Sequence, residues 1–422
     1  MVEMTPSSDP EDRSVSKYGA AYKYRFVVAS LIILAHFSVG LNYFSVAPVF
    51  PLIMEDFGVN RATVSLLVAL ALLVHAVFGL PGGVIAARFG AKRVYFVAWI
   101  LVGMSAFTSF AGDFGTLLAL RLAYGIGFGL IIPTTAPLLM QWMKPREITF
   151  MNALDIAALT LGVAVSVTTV APISEEIGWE NALSVFGAVA FLGSVVWALL
   201  GKTKPLEFQA ISDKSISLRD VSRVLRNKII LLLAAADALV FMHYTALTGW
   251  LPAFYGESRN MSLSESGFVT GLMPLVGVGA VLIGGVLPLR VSDQRIFFVV
   301  PGLLIGIGGL GSFLLNSYIG IVACIVILGI GSWAYPPTLL SLPMRLKDMT
   351  PEKIAIVWGL FVTVSGLGMF VSPIVVGAIR DHWGTFIPGF MIWGIGAWLL
   401  LIAGLLLPAS VNSNPQFSQT ER

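Results

Sequence analysis

The sequence predicts an all-α integral membrane protein, with twelve transmembrane helices arranged as two six-helix bundles related by a parallel repeat. Three observations carry this expectation. The first is composition: 57% of the residues are apolar and only 12% are charged, with a mean hydropathy of +0.87, whereas soluble domains give about a quarter of their residues to charge. One or two soluble cores cannot hide so much apolar surface, but a bilayer can. The second is spacing. Apolar runs of about 20 residues, enough to cross the hydrocarbon layer, fall near 25–50, 62–86, 94–111, 115–141, 148–172, 182–201, 229–252, 266–287, 296–315, 317–341, 354–378 and 385–407.

The third observation is an internal repeat. Residues 82–97 read GGVIAARFGAKRVYFV and residues 284–299 read GGVLPLRVSDQRIFFV, matching at seven of sixteen positions. The offset from Gly82 to Gly284 is 202, and it also carries Gly127 and Gly129 onto Gly329 and Gly331. An offset of 201 places Asn42 and Tyr43 on His243 and Tyr244, and Pro51 on Pro252. An even number of spans per half gives the halves the same orientation, so the repeat axis runs along the membrane normal. The expected division is a tail at 1–24, a first half at 25–201, a linker at 202–228, a second half at 229–407 and a tail at 408–422.

Charge placement sets the expected orientation. With the N-terminus inside, the tails and inner loops hold 22 of the 26 basic residues; the outer loops hold Arg61, Arg259 and Arg380, and Arg121 lies within a span. The positive-inside rule therefore predicts cytoplasmic termini in a multi-pass protein of the cell membrane. The polar first 22 residues argue against a cleaved signal peptide. In the basic linker, Leu218, Val221 and Leu225 recur at helical spacing among arginines, as in an amphipathic helix on an anionic leaflet or in a solvated linker. Cys324 is the sole cysteine, so no intramolecular disulfide forms.

At these motifs the chain resembles the major facilitator superfamily across residues 25–407. The family's loop between spans two and three, G-x-x-x-D-R-x-G-x-[KR]-[KR], is matched by Gly83, Arg88, Gly90, Lys92 and Arg93, but Ala87 replaces the acid. The second copy keeps Arg290 and Arg295 and has Leu289 at the acid's position. The resemblance implies a cytoplasmic latch made through that acid, so here the latch is missing or built differently. The family's fourth-span pattern R-x-x-x-G-x-G-x-G is matched by Arg121, Gly125, Gly127 and Gly129, followed by Pro133. Independently of the family, glycines at this spacing let helices approach closely. The fifth span lacks the G-x-x-x-G-P-x-x-G-G run of proton-driven drug exporters, which tilts the expectation towards uptake. The segment Tyr244 to Pro252 resembles the cyanate and nitroimidazole permease branch. Spans two and eight lack the arginines of nitrate porters.

Few ionisable groups lie within the spans: His36, His75, Arg121, Asp155, Asp237 and His243. No metal-ligand spacing, nucleophile–base pair or phosphate loop is present, so neither an enzyme, a cofactor nor a nucleic-acid partner is expected. The same offset of 201 that aligns Tyr43 with Tyr244 aligns His36 with Asp237. Two helical turns also place each tyrosine on the face of its ionisable neighbour. The expected proton-coupling groups are therefore His36 with Asp237, with Asp155 as a second proton site or a residue snorkelling towards Lys144 and Arg146. Candidate substrate contacts are Tyr43, Tyr244, Arg121, Asn42, His243, Trp333 and Trp358. Arg121 would grip a substrate carboxylate or pair with an acid, His243 would belong to an outer gate, and His75 would be a packing residue. The expected function is a monomeric secondary active transporter that takes up a small organic solute with protons by alternating access. Efflux, facilitated uniport and a non-transporting receptor are the rivals. A cavity of balanced charge favours a neutral, zwitterionic or weakly ionised solute.

Overall fold

The computed structural model describes residues 10–203, 218–291, 293–345, 349 and 351–407. Twelve helices are long and apolar enough to cross a membrane: α1 Tyr24–Tyr43, α2 Arg61–Gly79, α3 Ala91–Phe110, α4 Phe114–Trp142, α5 Phe150–Ile177, α6 Trp179–Leu200, α7 Lys228–Arg259, α8 Leu263–Val286, α9 Ile296–Leu314, α10 Tyr318–Ser341, α11 Ile356–Trp383 and α12 Ile387–Leu406. With an even number of spans, the start of α1 and the end of α12 lie on one face, here the terminal face; the opposite one is the distal face.

The first span departs from its sequence reading. Helix α1 stops at Tyr43, and a turn at 44–49 leads into a separate short helix, Phe50–Phe57. Pro48 explains the break, because its ring excludes the helical conformation for Ala47 and removes a backbone donor. Its repeat mate α7 runs unbroken through the corresponding stretch. Near its terminal-face end, α10 bends at Tyr335, where Pro336 and Pro337 start a new turn of helix.

Within each half, glycines set helix contact. A Cβ at Gly125 would meet the backbone of Ala71 on α2, and one at Gly127 would meet Ala98 on α3. A Cβ at Gly329 would meet Met273 on α8, and one at Gly331 would meet Pro301 on α9. The equivalent pairs are thus Gly125 with Gly329 and Gly127 with Gly331, two residues away from the pairing expected at offset 202. A G-x-G-x-G pattern matches itself when shifted by two, so sequence matching slips where packing does not. Gly129 presses on His75 and Phe78 of α2.

The loop after α2 turns at Gly90, whose φ of +88° suits a residue without a Cβ. Arg88 and Arg93 are exposed, and the carbonyl of Lys92 accepts the Trp197 indole N–H at 3.1 Å. Gly83 faces Pro133 of α4. In the second copy a 3-10 turn, Leu287–Leu289, precedes Arg290, and the backbone N–H of Arg295 is held by the Asp293 carboxylate at 2.9 Å. Helix Leu218–Leu225 packs against α7 and α11 through the buried Val224, while residues 204–217 of the linker lie outside the described residues.

The halves meet along two helix pairs, α5 with α8 and α2 with α11. Gly267 and Gly271 bring α8 against Val167 and Thr168, and Gly366 and Gly377 bring α11 against Ala76 and Arg61. Gly125→Ala should lower stability by about 1–3 kcal/mol through overpacking. Gly279→Ala, where a Cβ meets nothing within 4 Å, should leave it unchanged. Thermal unfolding in detergent measures both.

Candidate functional site at the broken helix and the seam

Ending a helix inside a bilayer leaves backbone carbonyls without partners, a cost that must be met by other protein groups. Arg121 of α4 meets it. Its Nη1 donates to the Asn42 carbonyl at 2.7 Å, Nη2 to the Tyr43 carbonyl at 2.8 Å and Nε to the Leu67 carbonyl of α2 at 2.9 Å. The Tyr124 hydroxyl donates to the Val39 carbonyl at 3.0 Å, and the Arg121 guanidinium lies 4.7 Å from the Tyr124 ring centroid. Arg121 therefore braces the break in α1 through backbone carbonyls, where the sequence suggested an acid or a substrate carboxylate. Asn42 joins the same brace, donating to the Ser38 and Phe186 carbonyls at 3.0 and 3.1 Å.

The break positions an aromatic chain across the seam. His75 of α2 stacks on Phe128 of α4 with ring centroids 3.7 Å apart, and Phe128 meets Tyr43 edge-on at 5.3 Å. Tyr43 stacks on Phe44 at 4.4 Å, Phe44 meets Tyr244 of the second half at 6.4 Å, and Tyr244 meets Trp333 of α10 at 5.7 Å. The Trp333 indole N–H donates to the Tyr244 hydroxyl at 3.3 Å, and the Tyr43 hydroxyl lies 3.8 Å from the Met369 sulfur of α11. Tyr43, His75, Trp333 and Met369 are partly exposed at this seam. Phe44 thus links Tyr43 to Tyr244 across the seam, and His75 joins the same chain. Trp358 lies elsewhere, donating to the Leu340 carbonyl at 3.0 Å near the terminal-face end of α10.

The buried ionisable groups pair differently from the sequence expectation. His36 and Asp237 each find a partner inside their own half. The nearest carboxylate to His36 is Asp155 of α5, 4.0 Å from Nδ1, while Nδ1 itself lies 3.0 Å from the Ile32 carbonyl. Neither oxygen of the buried Asp155 has a hydrogen-bond partner. Asp155 thus stays inside the half beside His36 instead of snorkelling to the membrane face. There the acid is Glu147, which accepts from the backbone N–H of Lys144 at 2.9 Å and from Arg25 at 3.1 Å. Those two contacts hold the Glu147 carboxyl below its ordinary range, the backbone bond contributing most.

In the second half, Asp237 accepts hydrogen bonds from the Tyr335 hydroxyl at 2.8 Å and from the Ser365 hydroxyl. The first span of each half thus shares a polar contact with the fifth, His36 with Asp155 and Asp237 with Ser365. Pro336 and Pro337 hint at the bend that delivers Tyr335, whereas no sequence signal marks Ser365. His243, suggested as an outer-gate residue, is buried in the second half between Gly309 of α9 and Gly394 of α12, with neither ring nitrogen hydrogen-bonded.

Twelve spans in two parallel-repeat halves, with a seam that carries aromatic and polar side chains around a broken helix, define a membrane transporter. Residues 32–373 match the model of the Major Facilitator Superfamily, and the chain belongs to that family. It is 26% identical over 412 residues to a probable sulfoacetate transporter of Cupriavidus necator, covering 91% of this chain and 95% of that one. It is 25% identical to a 4-hydroxybenzoate transporter of Pseudomonas aeruginosa, covering 92% and 91% of the two chains. A hexuronate transporter of Bacillus subtilis is 22% identical, with 82% and 85% covered. In architecture, a bacterial homologue of the human lysosomal transporter Spinster, solved inward-facing and unoccupied, superposes with a TM-score of 0.69 at 16% identity, over 92% of this chain and 95% of that one.

Arg121→Leu should cost about 3 kcal/mol or more, since each buried acceptor left unpaired costs about 1–3 kcal/mol. A lowered unfolding temperature without added substrate is expected. A stable variant defective only in substrate affinity would place Arg121 in the substrate site instead.

Proposed function

We propose that this transporter takes up a small organic monoanion, a carboxylate or sulfonate, together with protons, with both termini in the cytoplasm and the monomer as the working unit. The observation that carries the reading is the pair of buried acids flanking the aromatic seam. Asp155 beside His36 and Asp237 beneath Tyr335 and Ser365 lie one in each half. Carboxylates buried among transmembrane helices are costly to keep charged, and a proton that enters with the substrate removes that cost. Tyr43, Tyr244 and Trp333 offer a stacking floor for a planar or compact solute.

The substrate class draws support from the carriers of the monoanions 4-hydroxybenzoate and hexuronate that the chain resembles, whereas sulfoacetate, named for another relative, is a dianion. Those names lend no weight to the finer likeness to cyanate and nitroimidazole permeases. With Arg121 committed to the α1 break, the seam offers no free arginine at that depth among the described residues, which favours a singly charged anion whose charge is offset by a co-transported proton. The direction rests on the fifth span, where Gly162 packs against the Phe37 carbonyl of α1 without the exporter motif around it. The orientation rests on the positive-inside rule.

Proteoliposomes given a pH gradient, acid outside in one set and acid inside in the other, supply the test, with radiolabelled 4-hydroxybenzoate as the monoanion probe and sulfoacetate, a dianion, as the contrast. Accumulation should follow the proton gradient, and Asp237→Asn and Asp155→Asn should each reduce it to the level seen without a gradient while substrate exchange persists. Gradient-independent equilibration by the unaltered protein would show a uniporter. Unchanged pH dependence in both variants would remove these acids from the coupling step.

A further inference from the structure

The distal ends of α2, α7 and α11 are tied by an ion-pair cluster that crosses the seam. Arg61 opens α2, immediately after Asn60, whose side chain caps the helix by accepting from the Thr63 N–H at 2.8 Å. Arg61 Nη2 donates to Glu257 of α7 at 2.8 Å, and Nη1 donates to Asp381 of α11 at 3.3 Å. The second Asp381 oxygen accepts the Ala62 backbone N–H at 3.2 Å, so Asp381 also meets the positive end of α2. Arg380 holds Glu257 from its other side, with Nη2 at 2.7 Å and Nε at 2.9 Å from Oε2. Gly377 lets α11 lie directly on the backbone of Arg61. Beside the cluster a cavity of about 350 Å³ opens between the halves, lined by Pro51, Met54, Arg61, Trp250 and Glu257 among others.

The rest of the seam is tied differently. The distal end of the other helix pair, α5 with α8, carries a single hydrogen bond from the Ser264 hydroxyl to Glu175 at 2.8 Å. On the terminal face, Ala87 and Leu289 stand where the family loop has its acid. Helix α4 packs on α1, α2 and α3 of its own half, and α10 on α8 and α9 of its own. Among the described residues, this cluster ties the two halves at the distal end of the α2–α11 pair.

We infer that Arg61, with Glu257 and Asp381, forms a distal gate whose clasp favours the state closed on the distal face. Single exposed ion pairs contribute little, but this cluster joins three helix ends across the two halves. Two conformations separated by a few kcal/mol respond to small differential contacts. These charges meet only when the distal ends close, so they bias the protein towards the state open to the terminal face. Loading a solute from the distal side requires the clasp to part.

The test uses the full chain with Cys324→Ser and spin labels at Gly112→Cys and Asn316→Cys, two exposed distal loop positions in opposite halves. Without substrate in lipid nanodiscs, pulsed electron–electron resonance should give one short-distance population. Arg61→Gln should add a longer one, as should the Glu257→Gln/Asp381→Asn pair. Combining all three substitutions should add no further shift, since they remove one shared interaction. Raising the salt should move the unsubstituted protein the same way, because partly exposed charges are screened. A distance distribution indifferent both to salt and to Arg61→Gln would overturn the inference. If a variant does not fold, the salt series alone decides: no shift contradicts the clasp.

Discussion

The central seat depends on the contact between the Arg121 guanidinium and the carbonyls of Asn42, Tyr43 and Leu67. An unbroken α1 would carry its side chains past the seam at helical spacing, as α7 does. The break at Pro48 instead turns Tyr43 and Phe44 against Tyr244 and Phe128, and it is tolerable in a bilayer only because a cation and the Tyr124 hydroxyl take up the loose carbonyls. Irregular backbone among transmembrane helices is tolerated where other protein groups satisfy it. Here the irregularity is confined to one half, so the two-fold repeat ends where the seat begins.

That asymmetry extends to the polar groups. Both halves use the first and fifth spans to bury a polar contact, but the first half holds an imidazole and an acid whereas the second holds an acid and two hydroxyls. The Asp237 carboxylate has both oxygens hydrogen-bonded, while the Asp155 oxygens have none. A buried carboxylate without donors is the less comfortable of the two. The two acids therefore sit in different settings, Asp155 beside an imidazole with no donor to its oxygens and Asp237 tied to α10 and α11 through the Tyr335 and Ser365 hydroxyls.

Much of the fold was legible in the sequence, and the reasons are physical. Span length and charge placement follow from the bilayer, and the repeated GGV loop and paired Tyr43 and Tyr244 follow from duplication. The glycine register was not, since alternating glycines match at more than one shift and only the facing helix fixes which is right. The repeat offset pairs His36 with Asp237 in sequence, but the structure gives them separate partners, Asp155 for one and Tyr335 with Ser365 for the other. Depth does not give direction, and a helix side chain turned away from the seam meets its own half; this is why His36 finds Asp155 and His243 falls between Gly309 and Gly394. The Arg61 cluster escaped notice because its members are ordinary surface residues about 200 and 320 positions apart in sequence, a juxtaposition only the closed seam creates.

The clasp of Arg61, Glu257 and Asp381 ties the distal ends of α2, α7 and α11, and the gate inferred from it predicts a seat reached from the face that carries the termini. Met369, partly exposed beside the Tyr43 hydroxyl, reports on that arrangement directly. With Cys324→Ser and Met369→Cys, an impermeant maleimide should label the thiol in inside-out membrane vesicles and leave it unlabelled in right-side-out ones. Labelling confined to right-side-out vesicles would contradict the account.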